Sequence, residues 1–271
     1  MTRQVSRPGP APHRVADLPA GWFAPGGAPA PPARRVLAQA RFDATVLLRN
    51  GEQLLITLVL PALLLVALAL THVPDLGPGR RIDVAAPGVL ALAVMSTAFT
   101  GQAIGTGFDR RYGVLRLLGT TPLGRGGLVA GRVLAVLGVE GAQVAALGAL
   151  AAGLGWQPQG AGLAVGLVAV LAGTAAFVSL GLLLAGTLRS EAVLAVANLV
   201  WVLLLAGGGV VVPPDRLGAF APVARVLPSG ALGEALRGAL QAGSVRWGAF
   251  GVLVAWAAVG SLATARWFSW D

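Results

Sequence analysis

Long apolar runs separated by short polar stretches dominate the chain from residue 54 onwards. A helix that crosses a bilayer needs about 20 mostly apolar residues. Six segments approach or exceed that length: Leu54–Leu70, Val84–Phe108, Leu128–Leu154, Ala161–Leu188, Ala192–Val212 and Trp247–Ala265. The pattern therefore predicts an all-α integral membrane protein with six transmembrane helices.

Two further helices are predicted outside these spans. Residues 34–52 place Val36, Ala40 and Leu47 on one stripe among charged side chains, which predicts an interfacial helix lying on the membrane, or else a solvated helix. Residues 229–241 also follow a helical pattern, but about 13 residues rise only ~20 Å, too little to cross. We expect this helix to be an external re-entrant or surface helix between spans five and six.

Composition supports a membrane protein and excludes several activities. Hydrophobic residues make up 56% of the 271 positions and charged residues only 11%, too few for a soluble surface. The net charge of +9 comes from arginines placed between apolar segments, which fits lipid headgroups better than nucleic acid. With no Cys and two His, we expect no metal site.

The sequence has no Lys, so it contains no phosphate-binding P-loop. Any ATP must therefore bind another chain. We find no Ser/His/Asp arrangement and no useful pair of carboxylates, so catalysis by this chain is not expected.

The arginine distribution predicts the orientation. Near the ends of the spans, counted from residue 34 onwards, ten arginines lie on the side of the two termini, against six in the connections on the other side. Positive residues favour the cytoplasm, so both termini are predicted to be cytoplasmic. Residues 1–33 are rich in Pro, Gly and Ala and are predicted to be a disordered cytoplasmic tail without the apolar core of a signal peptide. Residues 34–271 would form the six-span domain.

The predicted cytoplasmic connection between spans two and three, residues 108–125, is short, basic and amphipathic. It would either lie on anionic lipid or act as a docking helix for a cytoplasmic partner. The loop contains Gly113, Leu115, Leu118, Thr121, Pro122 and Leu123. In these residues it resembles the coupling region of ABC type-2 exporter permeases. Gly131-Arg132 and the stretch from Leu227-Pro228 to Arg237 are also similar to the family, whereas Arg116 stands where an acidic residue is usual.

The resemblance implies a homodimer or heterodimer of similar permeases in a bacterial plasma membrane, exporting a substrate. Each permease would dock an ABC ATPase subunit, which would carry the ATP and Mg²⁺, with no cofactor on this chain. The residues expected to take part in ATPase coupling are Asp109, Arg110, Gly113, Leu115, Arg116, Leu118, Thr121 and Pro122.

Glu140 is the one acidic residue well inside a predicted span. Charged groups within a bilayer are costly and often functional. Together with Gln143, Glu140 would contact substrate or a proton, or it would be a structural partner of an arginine or a hydroxyl. Asn198 is a further candidate for the substrate pathway, although side chains such as Asn198 and Thr174 more often form interhelical hydrogen bonds.

Other classes of protein remain open at this point. A secondary transporter is poorly matched, because such proteins commonly show inverted repeats and charged, broken helices at mid-membrane. A membrane scaffold or assembly factor would not need the coupling-like loop. A membrane-embedded enzyme would need clustered polar residues inside the spans.

Overall fold

The computed structural model describes residues 30–268, and every regular element in that range is helical. We number ten helices in chain order. They are α1 (Pro32–Arg49); α2 (Gly51–Leu54, a π-helical stretch Leu55–Val59, then Leu60–Leu70); α3 (Arg81–Met95, a π-helical stretch Ser96–Gly101, then Gln102–Arg111); α4 (Val114–Gly119); α5 (Gly124–Gly153); α6 (Leu163–Thr187); α7 (Ser190–Gly207); α8 (Ala221–Val226); α9 (Pro228–Ala242); and α10 (Trp247–Trp267).

Within this part of the chain, five helices are long and apolar enough to cross a membrane. They correspond to α3, α5, α6, α7 and α10, and α2 adds a shorter apolar helix, Thr57–Leu70. The prediction of an all-helical, multi-pass membrane protein is thus confirmed. The fifth predicted segment ran too far, because α7 ends at Gly207 and not at Val212. Gly207 is the first of three successive glycines, and the third, Gly209, has φ +74°, which ends the helix.

Helix α3 forms the centre of the bundle. The most apolar part of Arg81–Arg111 is 94% buried, whereas the corresponding parts of α7 and α10 are 17% buried. A helix that is apolar on all sides is expected to lie inside a bundle. Helices α5, α6 and α7 pack against α3, whereas α10 packs on α6 and α9. The outer helices leave apolar faces outward, as expected of helices in contact with lipid.

Helix α9 is buried almost from end to end and packs on α3, α6 and α10. The sequence pattern indicated only one apolar face, because the small residues on the other sides of the helix do not mark those sides as buried. One close approach depends on glycine. A Cβ at Gly162 would lie 1.8 Å from the carbonyl oxygen of Ala239, so no larger residue fits without movement. Whether α9 is re-entrant or lies on the surface stays a prediction.

Helix α1 packs along the first turns of α5. A Cβ at Gly131 would come within 2.9 Å of Cγ of Gln39, so the small residue allows this approach. Leu37 and Phe42 of α1 point outward and are more than 60% exposed. Exposed apolar side chains fit the predicted interfacial helix, which stays a prediction. The predicted disordered tail lies outside the described residues except for 30–33, and α1 already begins at Pro32.

Candidate functional sites: the α3–α4 junction and a buried polar cluster

The junction between α3 and α4 turns at Gly113, whose φ of +71° is in the left-handed region. This turn sets α4 as a short helix directly after the central helix. Leu115 points inward and is 3% exposed, whereas Leu117 is 69% exposed and Arg116 also faces outward. Tyr112, at the turn, is 72% exposed. The outer surface of the junction is therefore made by an aromatic, an aliphatic and a cationic side chain.

Ion pairs and hydrogen bonds fasten this junction to two long helices. Asp109 pairs with Arg132 of α5, and Arg132 also donates to the hydroxyl of Thr106. Arg110 donates to the carbonyl oxygen of Leu188, directly after the end of α6. These contacts fix the end of α3, from which α4 continues after one turn, relative to α5 and α6.

The predicted coupling residues divide into two groups. Asp109, Arg110 and Leu115 are engaged within the chain, while Gly113 shapes the turn. Arg116 and Pro122 are exposed, and Leu118 and Thr121 are partly buried. Thr121 donates to the carbonyl of Leu118 (2.6 Å), and the carbonyl of Pro122 accepts a hydrogen bond from Arg35 of α1. The role of this set in coupling stays a prediction.

Sequence reasoning missed Leu117 and Tyr112 as the outward apolar side chains of the junction. The Leu115–Leu118 spacing defines one helical face but does not say which face points outward. In a helix of six residues, both faces carry leucine, so no amphipathic contrast was present to decide.

A cavity of about 580 Å³ opens beside this junction. Arg110, Arg111, Arg116 and Arg189 line it, together with Glu191, which pairs with Arg111. Four guanidinium groups against one carboxylate make this surface strongly basic. Such a surface favours an acidic partner surface or anionic headgroups.

Gln143 is a structural connector in the interior of the bundle. Its amide oxygen accepts from the hydroxyl of Thr97 (2.9 Å), and its amide nitrogen donates to the carbonyl of Thr57 (3.1 Å). Thr57 and Thr97 lie in the π-helical stretches of α2 and α3. Gln143 thus joins α2, α3 and α5 at the irregular turns of two helices.

Glu140 lies one turn before Gln143 on α5 and is 1% exposed. Its Oε2 accepts from the hydroxyl of Thr174 on α6 (2.6 Å), which in turn also donates to the carbonyl of Val170 (2.9 Å). Among residues 30–268, no donor lies within hydrogen-bond distance of its buried Oε1. One oxygen of this carboxyl group is therefore hydrogen-bonded within the described residues, and the other is not.

Asn198 does not join this cluster. It lies on an exposed part of α7, outside the set of side chains that bond to Gln143 and Glu140. Glu140 and Gln143 therefore lie one turn apart in the interior and bond to different partners, and the role of all three residues in a substrate pathway stays a prediction.

A second half-paired carboxyl lies on α1, outside the spanning helices. Oδ1 of Asp43 accepts from Gln39 (2.9 Å), whereas its buried Oδ2 has no hydrogen-bond partner in the described part of the chain. Burial raises the pKa of Asp43, and the Gln39 hydrogen bond and the charge of Arg132 oppose that rise. Asp43, Arg132 and Asp109 form one charged group where α1, α3 and α5 meet.

A bundle of apolar helices with a few buried polar side chains defines a multi-pass membrane protein. The family model for the ABC-2 type transporter matches residues 34–240, and the chain belongs to this family. It is a permease component of an ABC transporter, that is, a membrane transport component that is not itself catalytic. A comparison with curated proteins gave no match.

Proposed function

We propose that this chain is the permease subunit of an ATP-driven exporter of the bacterial plasma membrane. It would form a homodimer or heterodimer with a similar permease, and each subunit would dock a separate ABC ATPase carrying ATP and Mg²⁺. Family membership and the absence of Lys, and hence of a P-loop, support this division of labour.

The observation that carries the proposal is the rigid connection of α4 to the bundle. Helix α4 follows the central helix α3 after a single tight turn at Gly113. Asp109 and Arg110 tie the same junction to Arg132 of α5 and to the end of α6. A displacement applied to α4 would therefore reach three long helices without a flexible linker.

The docking surface we propose is the outer side of this junction, made by Tyr112, Arg116 and Leu117, beside the basic cavity. An exposed leucine next to an aromatic ring suits an apolar groove on the ATPase, and the arginines would orient its approach. This assignment replaces Leu115 by Leu117 as the apolar contact with the partner, because Leu115 packs inside the permease.

We also propose a topology of six spans with both termini cytoplasmic. Helix α2 would be the first span: its three consecutive stretches contain 4, 5 and 11 residues. About 20 helical residues reach ~30 Å, the thickness of the hydrocarbon core. Helix α9 would be re-entrant on the outside, since it is buried between α3, α6 and α10.

The test is Leu117→Asp, measured by co-purification of the ATPase with the permease and by ATP-dependent transport. We expect both to fall at least about tenfold, because a buried charge would replace an apolar contact at the interface. Permease yield and gel-filtration profile should stay normal, since Leu117 is exposed.

Leu37→Asp is the matched control, because Leu37 is 62% exposed on α1 and also apolar. If α4 merely lies on lipid, the two aspartate variants should behave alike. Normal ATPase recovery and normal transport in Leu117→Asp would rule out this docking surface.

A further inference from the structure

A long apolar groove separates α5 from α6 on the outside of the bundle. One part, of about 490 Å³, is lined on α5 by Glu140, Val144 and Gly148 and on α6 by Leu163, Leu167 and Val170. It continues past Leu137 and Leu171 into a second apolar cavity of about 670 Å³. These volumes are in the range that holds a drug-sized molecule.

Two buried polar atoms beside this groove lack partners within residues 30–268. One is Oε1 of Glu140, a hydrogen-bond acceptor when ionised, and the other is Nε1 of Trp156, a donor. Both residues line the part of about 490 Å³. Buried polar groups in proteins are nearly always satisfied, and a ligand with polar groups of its own would satisfy these two, which belong to residues that line a single groove.

The carboxyl group of Glu140 narrows the choice of ligand. A buried carboxylate is costly, so such a group is ionised only where a cation accompanies it. Arg132, about two turns earlier on α5, is already engaged with Asp109 and Thr106. An ammonium group on a ligand would supply both the missing countercharge and the missing donor.

We propose that the α5–α6 groove is a binding site for an elongated hydrophobic amine, whose protonated nitrogen donates to Oε1 of Glu140. The apolar body would lie along Val144, Gly148 and Ala152 towards Trp156, a run of about 12 residues or ~18 Å of helix. An acceptor at the far end of the ligand would meet the indole N–H of Trp156. That such an amine is also transported rests on the proposed function. That it binds in the groove does not.

The experiment measures binding without ATP or ATPase, so its failure would leave the proposed coupling untouched. The full chain in phosphatidylcholine nanodiscs is photolabelled with 6-(4-benzoylphenyl)hexylamine, and the adducts are mapped by peptide mass spectrometry. The matched probe is 6-(4-benzoylphenyl)hexanol, which keeps the apolar body and a donor but has no charge. We expect saturable labelling of α5 and α6 by the amine, with an apparent affinity at least tenfold above that of the alcohol.

Glu140→Gln should reduce the affinity for the amine to that for the alcohol, since the amide keeps the shape but loses the charge. Glu234→Gln makes the same change on α9, away from the groove, and should leave both affinities unchanged. Unchanged amine affinity in Glu140→Gln would overturn the proposal.

A steric pair tests the groove independently of Glu140. A Cβ at Gly148 or at Gly138 would meet no atom within 4 Å, but only Gly148 lines the groove. Gly148→Leu should fill it and weaken labelling by both probes at least fivefold, while Gly138→Leu should not.

Three other results would refute the proposal. Equal, saturable labelling by both probes would mean a groove for lipid chains. Adducts confined to residues outside the groove, whose lining also includes Leu90 of α3 and Leu236 and Leu240 of α9, would place the amine elsewhere. Labelling abolished in a dimer but present in a monomer would mean that a second copy covers the groove.

Discussion

Two buried charged side chains, Arg237 on α9 and Glu140 on α5, show opposite ways of placing a charge inside this bundle. Arg237 is 7% exposed, and its two terminal nitrogens donate to the carbonyls of Gly209 and Val210, both at 3.0 Å. Glu140 is 1% exposed, but only one of its two oxygens is bonded within the described chain.

The surroundings of the two side chains also differ. Arg237 closes onto the irregular segment that follows α7 and satisfies backbone groups that no helix would satisfy. Glu140 lies beside an open apolar groove. A buried charge that is fully bonded indicates a structural role, whereas one left half-bonded beside a cavity indicates a ligand site. The predictions below test this contrast.

The largest effect is expected from Arg237→Met. It would leave two buried carbonyls without donors, and the methionine would not replace them, so we expect a loss of about 3 kcal/mol in stability. The measurement is thermal unfolding of the purified protein in detergent, together with yield in the membrane fraction.

Arg225→Met is the control for this prediction, because Arg225 lies on the surface and pairs with an exposed Asp215. Its effect should stay below about 1 kcal/mol. Equal melting temperatures for the two variants would contradict the structural role assigned to Arg237.

A smaller effect is expected from Thr174→Val. This change removes the hydroxyl that donates to Oε2 of Glu140 while keeping a similar volume, and should cost about 1–2 kcal/mol. It should also lower the amine-over-alcohol selectivity in the photolabelling assay, because the carboxyl group loses its orienting partner. Thr187→Val is the control, since Thr187 donates to the carbonyl of Leu183 on its own helix and lines neither part of the groove. Lower stability with unchanged selectivity would leave Thr174 only a packing role.

The sequence allowed the five long apolar helices to be predicted because each apolar run is long and has turn residues at its ends. It did not predict that α9 is buried on all sides. Glycines 230, 233 and 238 look like helix-weakening residues in the sequence, but in the fold they allow close packing against neighbouring backbone and side chains.

Glu140 and Gln143 were predicted because polar residues in spans are rare. Their different roles depend on contacts with Thr174, Thr97 and Thr57, which lie 34 to 86 residues away in the chain. Nor did any local pattern indicate that Asp109 pairs with Arg132, 23 residues later, instead of facing a partner. Side chains brought together by tertiary packing leave no spacing in the sequence from which their contact could be predicted.

The smallest effect concerns Asp43, which is half-paired like Glu140 but adjoins a cavity of only about 140 Å³. Burial is the largest cause of its raised pKa, so the folded state binds a proton more readily than the unfolded state. Asp43 therefore contributes most to stability below its unfolded pKa, and this contribution is lost as the pH rises through its folded pKa. Thermal unfolding from pH 4 to pH 8 should show this loss in the wild type and not in Asp43→Asn, with a difference of less than about 0.5 kcal/mol.

Gln39→Leu sharpens this test, because it removes the hydrogen bond that lowers the pKa of Asp43. The loss of stability should then occur at higher pH than in the wild type, since the charge of Arg132 alone opposes the rise in pKa that burial causes. Amine photolabelling should be unchanged in both variants, because a half-paired carboxyl without a large groove has no room for a ligand of this size. If Asp43→Asn instead weakened amine labelling as strongly as Glu140→Gln, half-pairing alone would not distinguish a ligand site from a structural carboxyl, and the contrast with Arg237 would lose its functional meaning.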